Sequence, residues 1–295
     1  MAGSISGNFG GPWSDAKLHA LGSYLKAYTK VLKNQPFKLI YLDAFAGAGV
    51  RPVDLPESDA INLRLDEEEQ NYRHGSPLIA LSIEPPFHRF VFIDKDNAAL
   101  ESLRSHIEEQ QPTGQREIEF LAGDANEQIR SFVSRTDWFS HRAVAFLDPF
   151  ALQVDWTTLE VMARTQAVDL WLLFPAMGVN RMLTRSGEIQ APWRRRLDRL
   201  FGIEDWDKGF YAEEQPDLFG ESSVTKIPRV FETLSDYVTA RLGTIFAKTH
   251  KTPLILKNRK GAPLFLLCFA SANPGKGSRI AVNIAQDIID SSNHG

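Results

Sequence analysis

Five short apolar runs recur along this chain of 295 residues: KLIYLDAF (38–45), RFVFID (89–94), IEFLAGD (118–124), RAVAFLD (142–148) and VDLWLLF (168–174). Each alternates too little for a half-exposed strand. They read as strands buried on both faces, the condition of a parallel sheet covered by helices. Between them lie segments of helical period such as NAALESLRSHIEEQ (97–110) and WTTLEVMAR (156–164). This alternation dictates an α/β fold with right-handed crossovers and helices on both faces. The end of the chain breaks the rhythm. PLILKN (253–258) and PLFLLCFASAN (263–273) flank the short turn RKGA, which predicts a C-terminal hairpin and one antiparallel edge strand. RIAVNIAQDII (279–289) returns to helical spacing. Ahead of the first strand, KLHALGSYLKAYTKVLKN (17–34) sets Leu18, Leu21, Leu25, Tyr28 and Leu32 on one face of a helix closed by Asn34 and Pro36.

Two stretches fall outside the sheet pattern: 50–74, with four consecutive acids from Asp66 to Glu69, and 175–230, rich in Trp, Arg, Pro and Gly. The expected organisation is one domain over 1–295, with 50–74 as a loop or lid and 175–230 as a substrate-recognition insertion. A chain 43% hydrophobic and 24% charged can bury a full core. The single cysteine, Cys268, sits inside the apolar run PLFLLCFA and reads as a small buried hydrophobe, so no disulfide or zinc site is built from it. Seven scattered histidines show no H-x-x-H or H-E-x-x-H spacing, and no metal site is expected. Without a signal-peptide pattern or an apolar run near the roughly 20 residues that span a bilayer, a cytoplasmic protein with no membrane contact is expected.

The first run ends in YLDAFAGAGVR (41–51), a strand running into two glycines one residue apart. Such a turn exposes backbone N–H groups and lets a ligand approach the main chain. A dinucleotide fingerprint needs a third glycine so that a helix N-terminus can hold the pyrophosphate. Here Gly49 is followed by Val50, Arg51 and Pro52, which does not supply it. Asp43 decides more. In D-x-F-x-G-x-G, with Phe45, Gly47 and Gly49, a carboxylate at the strand's carboxyl end faces a cation, not a diphosphate. S-adenosylmethionine carries an ammonium and a sulfonium. Asp94, ending the second run, can accept both ribose hydroxyls, and Asp124, ending the third, can receive the adenine amine beside the backbone of Ala125. Taken singly, each acid can instead cap the helix that follows. Ligands of open α/β sheets bind outside the carboxyl ends of the strands, where the three converge.

The fourth run continues as FLDPFALQ (146–153). Asp148 and Pro149 resemble the (D/N)-P-P-(Y/F) motif of amino-methyltransferases, in which the carboxylate and a proline carbonyl orient the target amine. Phe150 stands in place of the second proline and Ala151 in place of the stacking aromatic. Asp148, Pro149 and Phe150 are the catalytic candidates.

The combination of KLHALGSYL, YLDAFAGAG, GSPLIAL (75–81), VFIDKD, GDAN, FLDPFALQ and LLFPAMGVNRML (172–183) resembles the three-Cys-motif partner proteins, from about Lys17 to about Phe269. Those proteins are S-adenosylmethionine-dependent methyltransferase-like, and their gene usually neighbours one for a radical-SAM-like protein with a three-cysteine motif. The pattern is also similar to large-subunit ribosomal RNA adenine-N6 methyltransferases, which carry D-P-P-Y in place of Asp148 to Ala151. The resemblance implies a Rossmann-like class I methyltransferase sheet. It implies Asp43, Gly47 and Gly49 at the methionine end, Asp94 at the ribose, Asp124 at the adenine and Asp148 at the acceptor.

The net charge of −4 is unevenly spread. Residues 175–202 carry +4 and residues 251–280 carry +6, leaving about −14 on the rest. In APWRRRLDRL (191–200), Trp193 beside Arg194, Arg195 and Arg196 can lie on a phosphate backbone of RNA or DNA with the indole stacked on a base. The other reading is a solvated helix face. Two function classes follow: a methyltransferase acting on nucleic acid, or a cofactor-binding partner of the three-cysteine protein.

Overall fold

A computed structural model describes residues 12–47, 75–110, 116–213 and 224–293. Gly49 and the stretch 50–74 lie outside the described residues. Helix α1 (Pro12–Leu32) leads into β1 (Lys38–Asp43), and α2 (Ser76–Leu81) precedes β2 (Arg89–Asp94). Then α3 (Asn97–Gln110), β3 (Glu117–Ala122), α4 (Ala125–Arg135), β4 (His141–Leu147), α5 (Trp156–Arg164) and β5 (Val168–Phe174) follow in strict alternation. Beyond β5 come α6 (Ala176–Met182), α7 (Ala191–Phe201), a short 3-10 turn (Trp206–Gly209), the small antiparallel pair β6 (Tyr211–Glu213) and β7 (Val224–Lys226), and α8 (Val230–Leu242). The chain closes with β8 (Lys248–Thr249), β9 (Leu254–Lys257), β10 (Pro263–Ser271) and α9 (Gly277–Asn293).

The main sheet runs β3-β2-β1-β4-β5-β10-β8, with β9 also paired to β10. The pairs among β1 to β5 are parallel, and β10 lies antiparallel to β5 with Leu267 opposite Leu173. This is the Rossmann-like sheet and C-terminal hairpin that the apolar runs predict. Within the hairpin, β10 is the antiparallel strand, and the short β8 and β9 lie outside it at the rim. One expectation is corrected. β3 is the sheet's other edge and is only half-buried, with Glu119 on it paired to both Arg89 and Arg135. Charges of this kind keep an edge strand from pairing with another chain.

Side-chain alternation along the strands splits the core in two. In β5, Leu170, Leu172 and Phe174 join one apolar cluster with α4, α5, α6, α7 and α8, while Trp171 and Leu173 join the other with α1, α2, α3 and α9. The stretch expected as an insertion adds Leu197, Phe201, Trp206 and Phe210 to the first cluster, all of them buried. Cys268 is likewise buried in β10, and burial pushes its thiol up to about 12. No helix among the described residues is long and apolar enough to cross a membrane.

Gly202, at the C-terminus of α7, has φ 69° and lies flat against Trp156: an added Cβ would sit 2.3 Å from that ring's Cδ1. Left-handed backbone and overpacking both penalise a side chain there. Gly202→Ala is expected to lower stability by about 2–5 kcal/mol, read as a lower urea midpoint at an unchanged slope. A loss below about 1 kcal/mol would show that Trp156 yields freely.

Candidate functional site

The strand order turns back between β1 and β4, because the chain leaves β1 toward β2 on one side and leaves β4 toward β5 on the other. A crevice outside the carboxyl ends is the usual ligand site of such a sheet. The sequence places four acids on this edge. Asp43 ends β1 and is 0% exposed, Asp94 ends β2, Asp148 follows β4, and Asp124 follows β3.

Asp43 is held by three donors. The Tyr41 hydroxyl gives to its Oδ2 at 3.1 Å, the Phe45 N–H gives to its Oδ1 at 3.3 Å, and the Ser76 hydroxyl also donates to it. Ser76 arrives there because Gly75, with φ 110°, opens α2 in the left-handed region and Pro77 occupies the first turn. Burial nevertheless raises the Asp43 carboxyl from 3.8 to about 7; the donors work against that rise, and the charge of nearby Asp148 adds to it.

The glycine turn is fixed from the neighbouring strand. Gly47 adopts φ 63°, and its N–H donates to Asp94 Oδ2 at 2.8 Å while Asp96 N–H donates to Oδ1 at 2.9 Å. Ala46 N–H reaches the Ile93 carbonyl at 2.9 Å. Asp94, read from the sequence as a ribose acceptor, thus anchors the turn. Asp124 is exposed and caps α4, its Oδ1 accepting from Asn126 N–H at 2.9 Å and Glu127 N–H at 3.2 Å. The capping role and the expected position at the crevice coexist in this residue, and Ala125 beside it is buried.

Lys17 is the residue that sequence reasoning missed. Its ammonium, with no exposed surface, donates to Asp148 Oδ2 at 2.7 Å and lies 5.5 Å from the centre of the Trp13 ring. The catalytic candidate is therefore engaged by a cation of the protein itself. Pro149 is buried and Phe150 half-buried, with the Phe150 N–H donating to Gln153 Oε1 at 3.0 Å. The signal for Lys17 lay in the helical spacing. Trp13, Lys17, Leu21, Tyr24 and Tyr28 form one stripe, all buried, whereas Leu18 and Leu32 of the expected face are half-buried.

The basic segment does not gather into a phosphate cradle. Arg194 spends its guanidinium on Asp207 at 2.6 Å and on the Glu204 carbonyl at 3.0 Å, and Trp193 packs half-buried against the core. Arg199 makes a two-pronged pair with Asp155 at 2.9 and 2.8 Å. Arg195 is exposed and Arg196 half-buried. Of the four residues read as a nucleic-acid surface, Trp193 and Arg194 also make contacts within the protein while staying part-exposed. No group of three or more His, Cys, Asp or Glu able to hold a metal occurs among the described residues.

No protein-family model matches the chain. No curated protein is significantly similar to it in sequence. Solved structures similar in fold include the Legionella pneumophila protein LPL1258, at 17% identity over 81% of this chain and 93% of that one, TM-score 0.39. Trm1 from Pyrococcus horikoshii, solved in complex with S-adenosyl-L-methionine, shares 12% identity over 94% of this chain, TM-score 0.47. The match spans 61% of the Trm1 chain. A putative methyltransferase from Escherichia coli, yhhF, shares 12% identity over 68% of this chain and 82% of that one, TM-score 0.27.

The raised carboxyl of Asp43 has a measurable consequence. Folded, it keeps its proton up to about pH 7; unfolded, it loses it near 3.8. The folded state therefore binds the extra proton between those values, so this group's contribution to stability falls as pH rises through that window and levels off above it. Asp43→Asn should match the parent near pH 4 and exceed it above pH 7, the gap opening between the two values. Urea titrations across that range check it, and a gap independent of pH would contradict it.

Proposed function

We propose that the chain binds S-adenosylmethionine at the carboxyl edge between β1 and β4 and transfers its methyl group to an amine of RNA or DNA. The observation that carries this reading is the charge of the cluster. Asp43 and Asp148 are both buried at this edge, with the Lys17 ammonium on Asp148, and burial, with the charge of Asp148 adding to it, raises the Asp43 carboxyl to about 7. A cationic ligand supplies what is missing; a pyrophosphate would add to the imbalance. The left-handed turn at Gly47, tied to Asp94, brings main chain to the same edge.

S-adenosylmethionine, held there by Asp43 and the Gly47 turn, would supply an electrophilic methyl on its sulfonium to an acceptor amine. The residues' part is orientation. Asp148 accepts a hydrogen of the target amine and aims its lone pair, with Pro149 and Phe150 shaping the approach. In this reading Arg195 and Arg196 contribute what remains of the nucleic-acid surface.

A second reading, a cofactor-binding partner of a radical-SAM-like three-cysteine protein without transfer of its own, draws on one observation: the buried Lys17 already donates to Asp148 Oδ2. Its partner enters through the resemblance of DAFAGAG, GSP and DPF.

Radiolabelled methyl transfer to RNA, DNA and protein from a host lacking the gene separates the two. The parent should label a nucleic-acid fraction. Asp148→Asn, which keeps an acceptor for Lys17 and for the amine, should retain part of the activity, and Asp148→Ala should lose about 10²-fold or more while binding cofactor. Full activity in Asp148→Ala removes Asp148 from the chemistry, and no labelled fraction with the parent shifts the balance to the second reading.

A further inference from the structure

The opposite edge of the sheet holds a cavity of about 320 Å³ between the last turns of α1 and the first turns of α9. It lies at the amino ends of β4 and β5, a full strand length from Asp43 and Asp148. The volume is at the lower end of the range for small-molecule sites.

Its polar groups are few and opposed in charge. Asp169, on β5 and only 7% exposed, accepts from the Tyr24 hydroxyl at 2.7 Å through Oδ2. The Ser271 hydroxyl, with no exposed surface, lies close enough to ease the ionisation of Asp169, yet its geometry closes no hydrogen bond. A buried hydroxyl left this way costs about 1–3 kcal/mol unless a ligand or water answers it. Across the same cavity Arg142 lies flat on Phe37, its guanidinium carbon 3.8 Å from the ring centre. Its Nη1 makes both of its protein bonds, to the Trp138 carbonyl at 2.9 Å and the His141 carbonyl at 2.7 Å. Between these poles the walls are apolar: Tyr28, Ile280 and Ile284.

We propose that this cavity binds a small zwitterion with an apolar body, an α-amino acid of aliphatic or aromatic side chain. The ammonium meets Asp169 and Ser271, the carboxylate meets Arg142, and the side chain lies against Tyr28, Ile280 and Ile284. A simple amine would face the Arg142 charge unscreened, and a simple acid would face Asp169; only an ampholyte satisfies both. Binding needs no covalent step and does not depend on the cofactor reading.

Calorimetry on the full chain tests the site with L-leucine and L-phenylalanine, and with isoamylamine and isocaproate, which each keep one of leucine's two charges. At least one amino acid should bind at about 1 mM or tighter, with both single-headed analogues at least about tenfold weaker. Asp169→Asn should weaken the amino acid by about tenfold or more. Ile280→Trp fills the mouth from a position 49% exposed, where a larger side chain spares the core, and should abolish binding. That variant also separates this cavity from the carboxyl edge, where an ammonium could otherwise compete. Absence of binding by both amino acids, isoamylamine matching leucine, or full affinity in Ile280→Trp would each overturn the proposal.

Discussion

At the turning point of the sheet a lysine with no exposed surface holds Asp148, one of three buried carboxylates on that edge with Asp43 and Asp94. Removing either member of such a pair strands a charge in low dielectric at a cost of about 3–5 kcal/mol. The pair therefore ties α1 to the end of β4. Asp43 is held by Tyr41, Ser76 and the Phe45 N–H, and its proton stays on to about pH 7. A neutral edge at rest that becomes charged when a cation arrives is the electrostatic form of a cation site.

Helix α1 does this at both edges of the sheet. Lys17 reaches Asp148 at the carboxyl edge, and Tyr24, two turns on and about 10 Å further along the axis, reaches Asp169 at the amino edge. One buried stripe thus delivers a cation to one end and a hydroxyl to the other. Burial raises Asp169 to about 6, and the Tyr24 hydroxyl of this helix works against that rise.

The fold was legible because its strands are apolar runs whose ends are acids. RFVFID and VDLWLLF coincide with β2 and β5, and the helical period over 97–110 and 156–164 coincides with α3 and α5. Edge position is not written in such runs, which is why β3 was expected to be buried. Asp43 and Gly47 could be found in the sequence because a strand, an acid and a glycine turn are local. Lys17 could not be found the same way, since an amphipathic pattern counts lysine as polar and its partner lies 131 residues away. The same distance problem hid the fate of the arginines. Arg194 meets Asp207 across a tight turn, and Arg199 meets Asp155, 44 residues earlier, so a run that looks like a phosphate cradle is partly spent on the protein.

A cationic ligand that settles beside Asp43 in the Asp43–Lys17–Asp148 cluster must displace the Asp43 proton, and proton release measures it directly. Titrating S-adenosylmethionine into the chain by calorimetry in buffers of different ionisation enthalpy, about one pH unit below the Asp43 value of about 7, reports the protons exchanged on binding. Release of close to one proton is expected, because the incoming charge drives Asp43 to ionise, and near zero for Asp43→Asn. Binding with no proton released, or the same release from Asp43→Asn, would contradict it.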